Sequence, residues 1–226
     1  MFKGFTDKTV DFMWNLRFNN NKSWFMENKN EFKAVLEKPM HELAQEVYSR
    51  FISNHDELNL RLHIARIYRD ARRPNIHGPY KDHLWFTIRQ QNEEWTDKPV
   101  FWFELAPETL SYGLGYYRAK PLTMQKLRAR IDKSPKPLQL LNDKLERQSE
   151  FILEGDEYVR PKGDPASPLA AWYNKKTFSL IHEEGITEAV FSPDLVNRVT
   201  QGFEFLIPFY MYFETLDADP DPLGNR

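Results

Sequence analysis

Apolar residues recur at three- and four-residue spacing near both ends of the chain and at two-residue spacing through its middle, a pattern that predicts helices flanking a sheet. Residues 7–18 read as a first helix, with Val10, Met13, Trp14 and Arg17 on one face and Phe12, Leu16 and Phe18 beside them. Thr6 stands where a cap is needed. Asn19-Asn20-Asn21 breaks that helix, and a second one from Lys22 carries Phe25, Phe32, Val35 and Leu36. Pro39 forces a kink or a new start. Met40, Leu43, Ala44, Val47 and Phe51 then form a helical stripe over 40–52.

After Asn54 the period falls to two, most clearly where Leu84, Phe86 and Ile88 alternate with His83, Trp85, Thr87 and Arg89. Strands are expected at 63–72, 83–90, 99–106 and 110–118, and their short connections favour antiparallel neighbours. Helical spacing returns at 121–132 and 136–149. Glycines and prolines make 155–168 irregular, and 176–182 reads as a further strand. Ser192-Pro193-Asp194 starts a last helix that Pro208 is expected to kink. The expected fold is therefore α+β: a single antiparallel sheet of four to five strands from the middle of the chain, packed by N-terminal and C-terminal helices. One domain is expected over 1–216, followed by a disordered acidic tail, 217–226.

Composition narrows the function classes. The 226 residues contain no cysteine, which removes disulfides, thiolate nucleophiles and cysteine metal sites. No apolar run reaches the roughly 18 residues of a membrane helix, and the first residues lack a signal-peptide pattern, so a cytoplasmic protein without a membrane partner is expected. A net charge of −2 argues against a surface built wholly for nucleic acid.

Against that background, one segment is unbalanced. From Arg61 to His83 there are six Lys or Arg and three His, where 31 Lys and Arg in 226 residues would put about three cations in such a stretch. Alternation assigns Ala65, Ile67, Leu84, Phe86, Ile88, Phe101, Phe103 and Leu105 to a core face. The opposite face collects Arg66, Tyr68, Asp70, Arg72, His83, Trp85, Thr87, Arg89, Trp102 and Glu104. On one reading this face holds an anionic, phosphate- or carboxylate-bearing small molecule. Arg66, Arg69, Arg72 and Lys81 would contact the anion and Tyr80 and Trp85 would wall it. Were the site enzymatic, Asp70 or His83 would be the acid–base group.

Two alternatives stay open. The tryptophans and arginines could stack bases and track phosphates as a nucleic-acid-binding module, a reading the overall acidity disfavours. The cluster could equally be internal ion pairing in a non-catalytic interaction protein, with Arg66, Asp70 and Glu104 in cross-strand pairs. The histidines lack metal-ligand spacing, and no cofactor motif is present, so neither metal nor cofactor is expected. Asn19-Asn20-Asn21-Lys22-Ser23-Trp24-Phe25 reads as a turn and helix cap with two docking aromatics.

Several blocks recur in one order: Phe2-Lys3-Gly4-Phe5, Asn20-Asn21-Lys22 with Trp24-Phe25, Arg66-Ile67-Tyr68-Arg69-Asp70 with Arg72, Pro79-Tyr80-Lys81 with His83, Arg160-Pro161-Lys162-Gly163, and Ser192-Pro193 with Leu195. In these blocks the chain resembles a family of mostly bacterial proteins known only as a domain of unknown function. The resemblance implies a shared fold and brings no activity with it. This chain departs from that pattern at Arg73, which replaces a commonly apolar residue, and at Asn75-Ile76-His77-Gly78, where the family tends to place lysines and an aspartate.

Overall fold

The N-terminal helical spacing folds into α1 (Asp7–Phe18), α2 (Lys22–Glu27), α3 (Lys29–Phe32) and α4 (Lys38–Ile52). This computed structural model describes residues 1–70, 72 and 78–224. Asn21 caps α2 by accepting the Trp24 amide at 3.0 Å. Pro39 lies in the first turn of α4, where its missing amide costs nothing. A π-helical turn, Lys33–Glu37, carries α3 into α4, and its Val35 carbonyl accepts from the buried Thr9 hydroxyl at 2.7 Å.

Downstream come β1 (Leu60–Ile64), β2 (Leu84–Gln90), β3 (Pro99–Leu105), β4 (Thr109–Tyr116), α5 (Pro121–Lys133), α6 (Lys136–Glu146), β5 (Ile152–Glu154), α7 (Ala170–Tyr173), β6 (Ser179–Gly185) and α8 (Leu195–Glu214). The fold is α+β, with a single antiparallel sheet in the order β1-β2-β3-β4-β6-β5. Its six strands exceed the expected four to five because β5 is too short to show alternation. It nonetheless pairs with β6, Ile152 opposite Ile181. The first strand stops at Ile64 and does not run to 72. Beyond it, pairing shrinks to one bridge between Tyr68 and Tyr80. Pro79 carries no amide hydrogen to continue the ladder.

The chain divides into two compact units. The first comprises Met1–Arg89, Trp102–Tyr112 and Glu183–Gly202; the second, Gln90–Phe101, Gly113–His182 and Phe203–Arg226. In the first, Phe12 packs on Trp24 and Phe32, Phe86 stacks on Phe103, and α4 lies over β1 with the Tyr48 hydroxyl donating to the Leu60 carbonyl. In the second, Phe101 packs on Phe203 and Tyr210, and Phe178 on Trp172 and Phe213. The Trp172 indole, fully buried, donates to Asn142 at 2.8 Å, which satisfies the one polar atom of a large apolar group. Of the acidic tail, Thr215–Ala218 forms a 3-10 turn, Asp217 pairs with Lys98 and Asp219 with Arg130. Asn225 and Arg226 lie outside the described residues. Among the described residues no helix is long and apolar enough to cross a membrane.

The start of α5 depends on a residue more than twenty positions upstream. Asp97, buried, accepts the Lys120 amide at 2.6 Å and the Thr123 hydroxyl at 2.9 Å, placing a carboxylate at the helix N-terminus. Asp97→Ala removes the acceptor of the Lys120 amide and of the buried Thr123 hydroxyl and is expected to lower stability by about 2 kcal/mol, read by equilibrium urea unfolding. A loss under half a kcal/mol would contradict this role.

Candidate functional site

The basic segment is held in place by an asparagine. Asn20 Oδ1 accepts the Tyr80 amide at 3.0 Å and Asn20 Nδ2 donates to the Tyr80 carbonyl at 2.9 Å, so one side chain meets both backbone groups as a neighbouring strand would. Gly78 is in the left-handed region with φ +82°, and a Cβ there would stand 2.5 Å from the Asn20 carbonyl oxygen. Only glycine allows the two segments so close. The Tyr80 ring is buried and stacked on Phe25 with centroids 4.0 Å apart, and Arg69 Nε donates to the Tyr80 carbonyl at 2.7 Å.

Next to this clamp lies an ion-pair network built by α1. Arg17, in its last turn, donates Nε to Asp82 Oδ2 at 2.5 Å and both Nη groups to Glu108, with Nη2 to Oε2 at 2.9 Å. Glu108 raises the guanidinium pKa further, with Asp82 adding to it. His83 Nδ1 lies 3.0 Å from Asp82 Oδ1, and Arg69 Nη2 lies 3.9 Å from the same oxygen. The His83 hydrogen bond and then Arg17 hold the Asp82 carboxyl well below the usual carboxylate range, against the opposing effect of burial. An ionised carboxylate can only accept, so Nδ1 carries the proton of that hydrogen bond.

Odd-numbered positions from Lys81 into β2 and even-numbered positions on β3 share the sheet face opposite the core. There Lys81 Nζ donates to the Arg66 carbonyl at 2.6 Å and lies 5.6 Å from the Trp85 ring centroid. Burial, then Arg69 and Arg66, lower the Lys81 pKa, while Glu104 partly offsets them. Glu104 is half-buried and has no hydrogen-bond or ion-pair partner among the described residues. Burial pushes its carboxyl above the usual range, with Asp82 and Glu183 adding to the rise and His83 and Lys81 opposing it. Thr87 is buried on the same face, and its hydroxyl has no hydrogen-bond partner among the described residues. His63 lies 6.1 Å from Trp85 between ring centroids, and partial burial, then Arg89, Lys81 and Arg66, lower its pKa.

The structure therefore separates the residues singled out from the sequence. Lys81, His83 and Trp85 come together on one face, with Arg66 exposed beside them and Arg69 tied into the network behind. Tyr80 turns the other way, into the core. Asp70 and Arg72 form an exposed bidentate pair at 2.9 Å and 2.9 Å, closed within a turn, and Arg72 is 90% exposed. Arg73 and the loop residues 74–77 lie outside the described residues. Sequence reasoning missed Arg17 and Glu108, which share no periodic pattern with the basic segment. It placed Glu104 and Thr87 on the correct face, but alternation carries no sign that either lacks a partner.

Residues 8–212 match the family described as Conserved hypothetical protein (DUF2461). A search of the curated proteins finds no match to the chain.

Two substitutions are expected to move stability in opposite directions. Asp82 contributes stability that is complete above the unfolded carboxylate pKa, about 4, and lost as pH falls through its depressed folded value. Asp82→Asn is expected to cost roughly 3 kcal/mol at neutral pH and to flatten the acid limb of the stability curve. Glu104 has the reverse sign, because a raised folded pKa penalises the ionised form. Glu104→Gln should raise Tm at pH 8, and the gain should vanish below about pH 4 where both states are protonated. Thermal melts across pH 3–9 test both, and a destabilised Glu104→Gln protein at pH 8 would contradict the assignment.

Proposed function

The chain belongs to the DUF2461 family, and we propose that it binds an anionic, phosphate- or carboxylate-bearing small molecule on the sheet face formed by Lys81, His83, Trp85 and Glu104. The observation that carries this reading is Lys81. Its ammonium is half-buried, has no carboxylate within ion-pair distance among the described residues, and stands in the field of Arg66 and Arg69. A bound anion would restore what burial and those cations take from it. Arg66, exposed beside it, offers a planar fork to the same ligand. The His83 ring, held through Nδ1 by Asp82, has its Nε2 to offer the same ligand. Trp85 supplies a flat apolar flank, as small-molecule sites commonly do.

Arg17, Arg69 and Arg72 have internal oxygen partners and are framework in this reading. Where the ligand is a substrate, proton transfer falls to two groups. His83 is oriented through Nδ1 by Asp82, and Glu104 has its carboxyl raised toward neutrality. Asp70 stays in its pair with Arg72.

A thermal-shift screen with inorganic phosphate, phosphate monoesters and dicarboxylates tests the proposal. A ligand at 100 times its Kd stabilises by about 2.7 kcal/mol, a rise of roughly 5–10 °C for a chain of this length. The shift is expected to disappear in Lys81→Met and to fall at least tenfold in apparent affinity in Arg66→Gln. A flat screen, or a shift that both variants keep, would remove the proposal.

A further inference from the structure

In the second unit, one tyrosine ring gathers three cations. Arg128 Cζ lies 5.5 Å, Lys162 Nζ 5.0 Å and Lys176 Nζ 5.5 Å from the Tyr158 ring centroid. These residues come from three places: Arg128 from α5, Tyr158 and Lys162 from the glycine- and proline-rich stretch after β5, and Lys176 from the segment leading into β6.

The stretch that carries Tyr158 and Lys162 is irregular in sequence but tightly pinned, chiefly by Asn174. The Asn174 backbone carbonyl accepts the Tyr158 amide at 3.1 Å, and its Oδ1 accepts the Lys162 amide at 3.2 Å. Its Nδ2 donates to the Tyr158 carbonyl at 3.2 Å. The Lys176 amide donates to the Asp156 carbonyl at 2.7 Å, and Glu157 bridges to Lys175. Gly163, at φ +77°, closes the turn where a Cβ would stand 2.8 Å from the Tyr173 ring. Arg128 is aimed by its Nη1, which donates to the carbonyls of Tyr173 at 3.4 Å and Lys175 at 3.3 Å.

Three of the nearby acids are engaged elsewhere, while Asp156 meets the cluster through its backbone carbonyl, which accepts the Lys176 amide. Glu157 takes the Lys175 ammonium at 2.7 Å, Asp132 accepts from the Tyr173 hydroxyl at 2.9 Å, and Asp164 accepts the Ala166 amide at 2.9 Å. Among the described residues none of Arg128, Lys162 and Lys176 is in an ion pair. Three like charges held around one ring sit within about a Debye length, ~10 Å, of one another and repel. Attraction to the ring face offsets this only in part. Arg160, from the same Arg160-Pro161-Lys162-Gly163 block, is exposed and adds to the positive field.

We propose that Arg128, Lys162 and Lys176, arranged around Tyr158, form a second anion site that takes a phosphoryl group, free or carried by a small organic ester. A guanidinium fork with two ammonium groups matches a multiply charged phosphate, and the ring offers an apolar flank to whatever the phosphate is attached to.

Isothermal titration calorimetry with inorganic phosphate, pyrophosphate and adenosine diphosphate at low ionic strength tests this. It is best run in the Arg66→Gln/Lys81→Met protein, so that heat from the first site does not contribute. One-to-one binding of at least one probe is expected, weakened at least tenfold by the exposed double variant Lys162→Gln/Lys176→Gln. The control Lys133→Gln/Lys136→Gln, which removes the same charge elsewhere in the unit, is expected to stay within twofold. Equal affinity for pyrophosphate and the nucleotide would assign recognition to the phosphoryl group alone; tighter nucleotide binding would add a contact to the ring. Absence of binding by all three probes, retention in Lys162→Gln/Lys176→Gln, or an equal loss in the control would each overturn the second site.

Discussion

Arg17 organises the first unit. A single guanidinium at the end of α1 satisfies Glu108 through two nitrogens and Asp82 through a third, and Asp82 in turn fixes the His83 ring. The planar fork makes this geometry available to arginine and not to lysine, because three separate N–H vectors must point in set directions at once. The helix thus determines the tautomer of a histidine 66 positions away in sequence.

The polar groups of that unit fall into two kinds. One kind is closed upon itself: Arg17 with Asp82 and Glu108, Arg72 with Asp70, Arg198 with Glu184. The other kind is left open on the sheet face, where among the described residues Lys81 has no carboxylate partner and the Glu104 and Thr87 side chains have no hydrogen-bond partner. Folding gains from the first and is penalised by the second. Groups that cost stability and persist in a well-packed sheet are where ligand contacts concentrate.

Much of the fold was legible because periodicity is a local signal. The helix over 7–18, the alternation in β2 and β3, and the core assignments of Phe86, Ile88, Phe101 and Phe103 follow from spacing alone. The three-residue strand β5 was not legible, since three residues hold barely more than one period. The site was legible in part. Composition drew attention to Lys81, His83 and Trp85, and face parity placed Glu104 with them. What turned Tyr80 inward and fixed Asp82 was long-range: the Asn20 clamp, the Phe25 stack and the Arg17 network connect positions 55 to 91 residues apart. No window along the sequence contains both ends of such a contact.

The Asn20 clamp also has a consequence for the order in which the protein takes shape. The two hydrogen bonds to Tyr80 close a loop of 60 residues, and the Arg17 pair with Glu108 closes one of 91. Loop-closure entropy must be met before either contact returns any free energy, so neither can nucleate folding. On the ribosome, Asn20 and Arg17 emerge long before their partners, while α1 to α4 can already pack among themselves. The geometry of the basic segment therefore waits on chain that is synthesised 60 to 91 residues after its N-terminal partners.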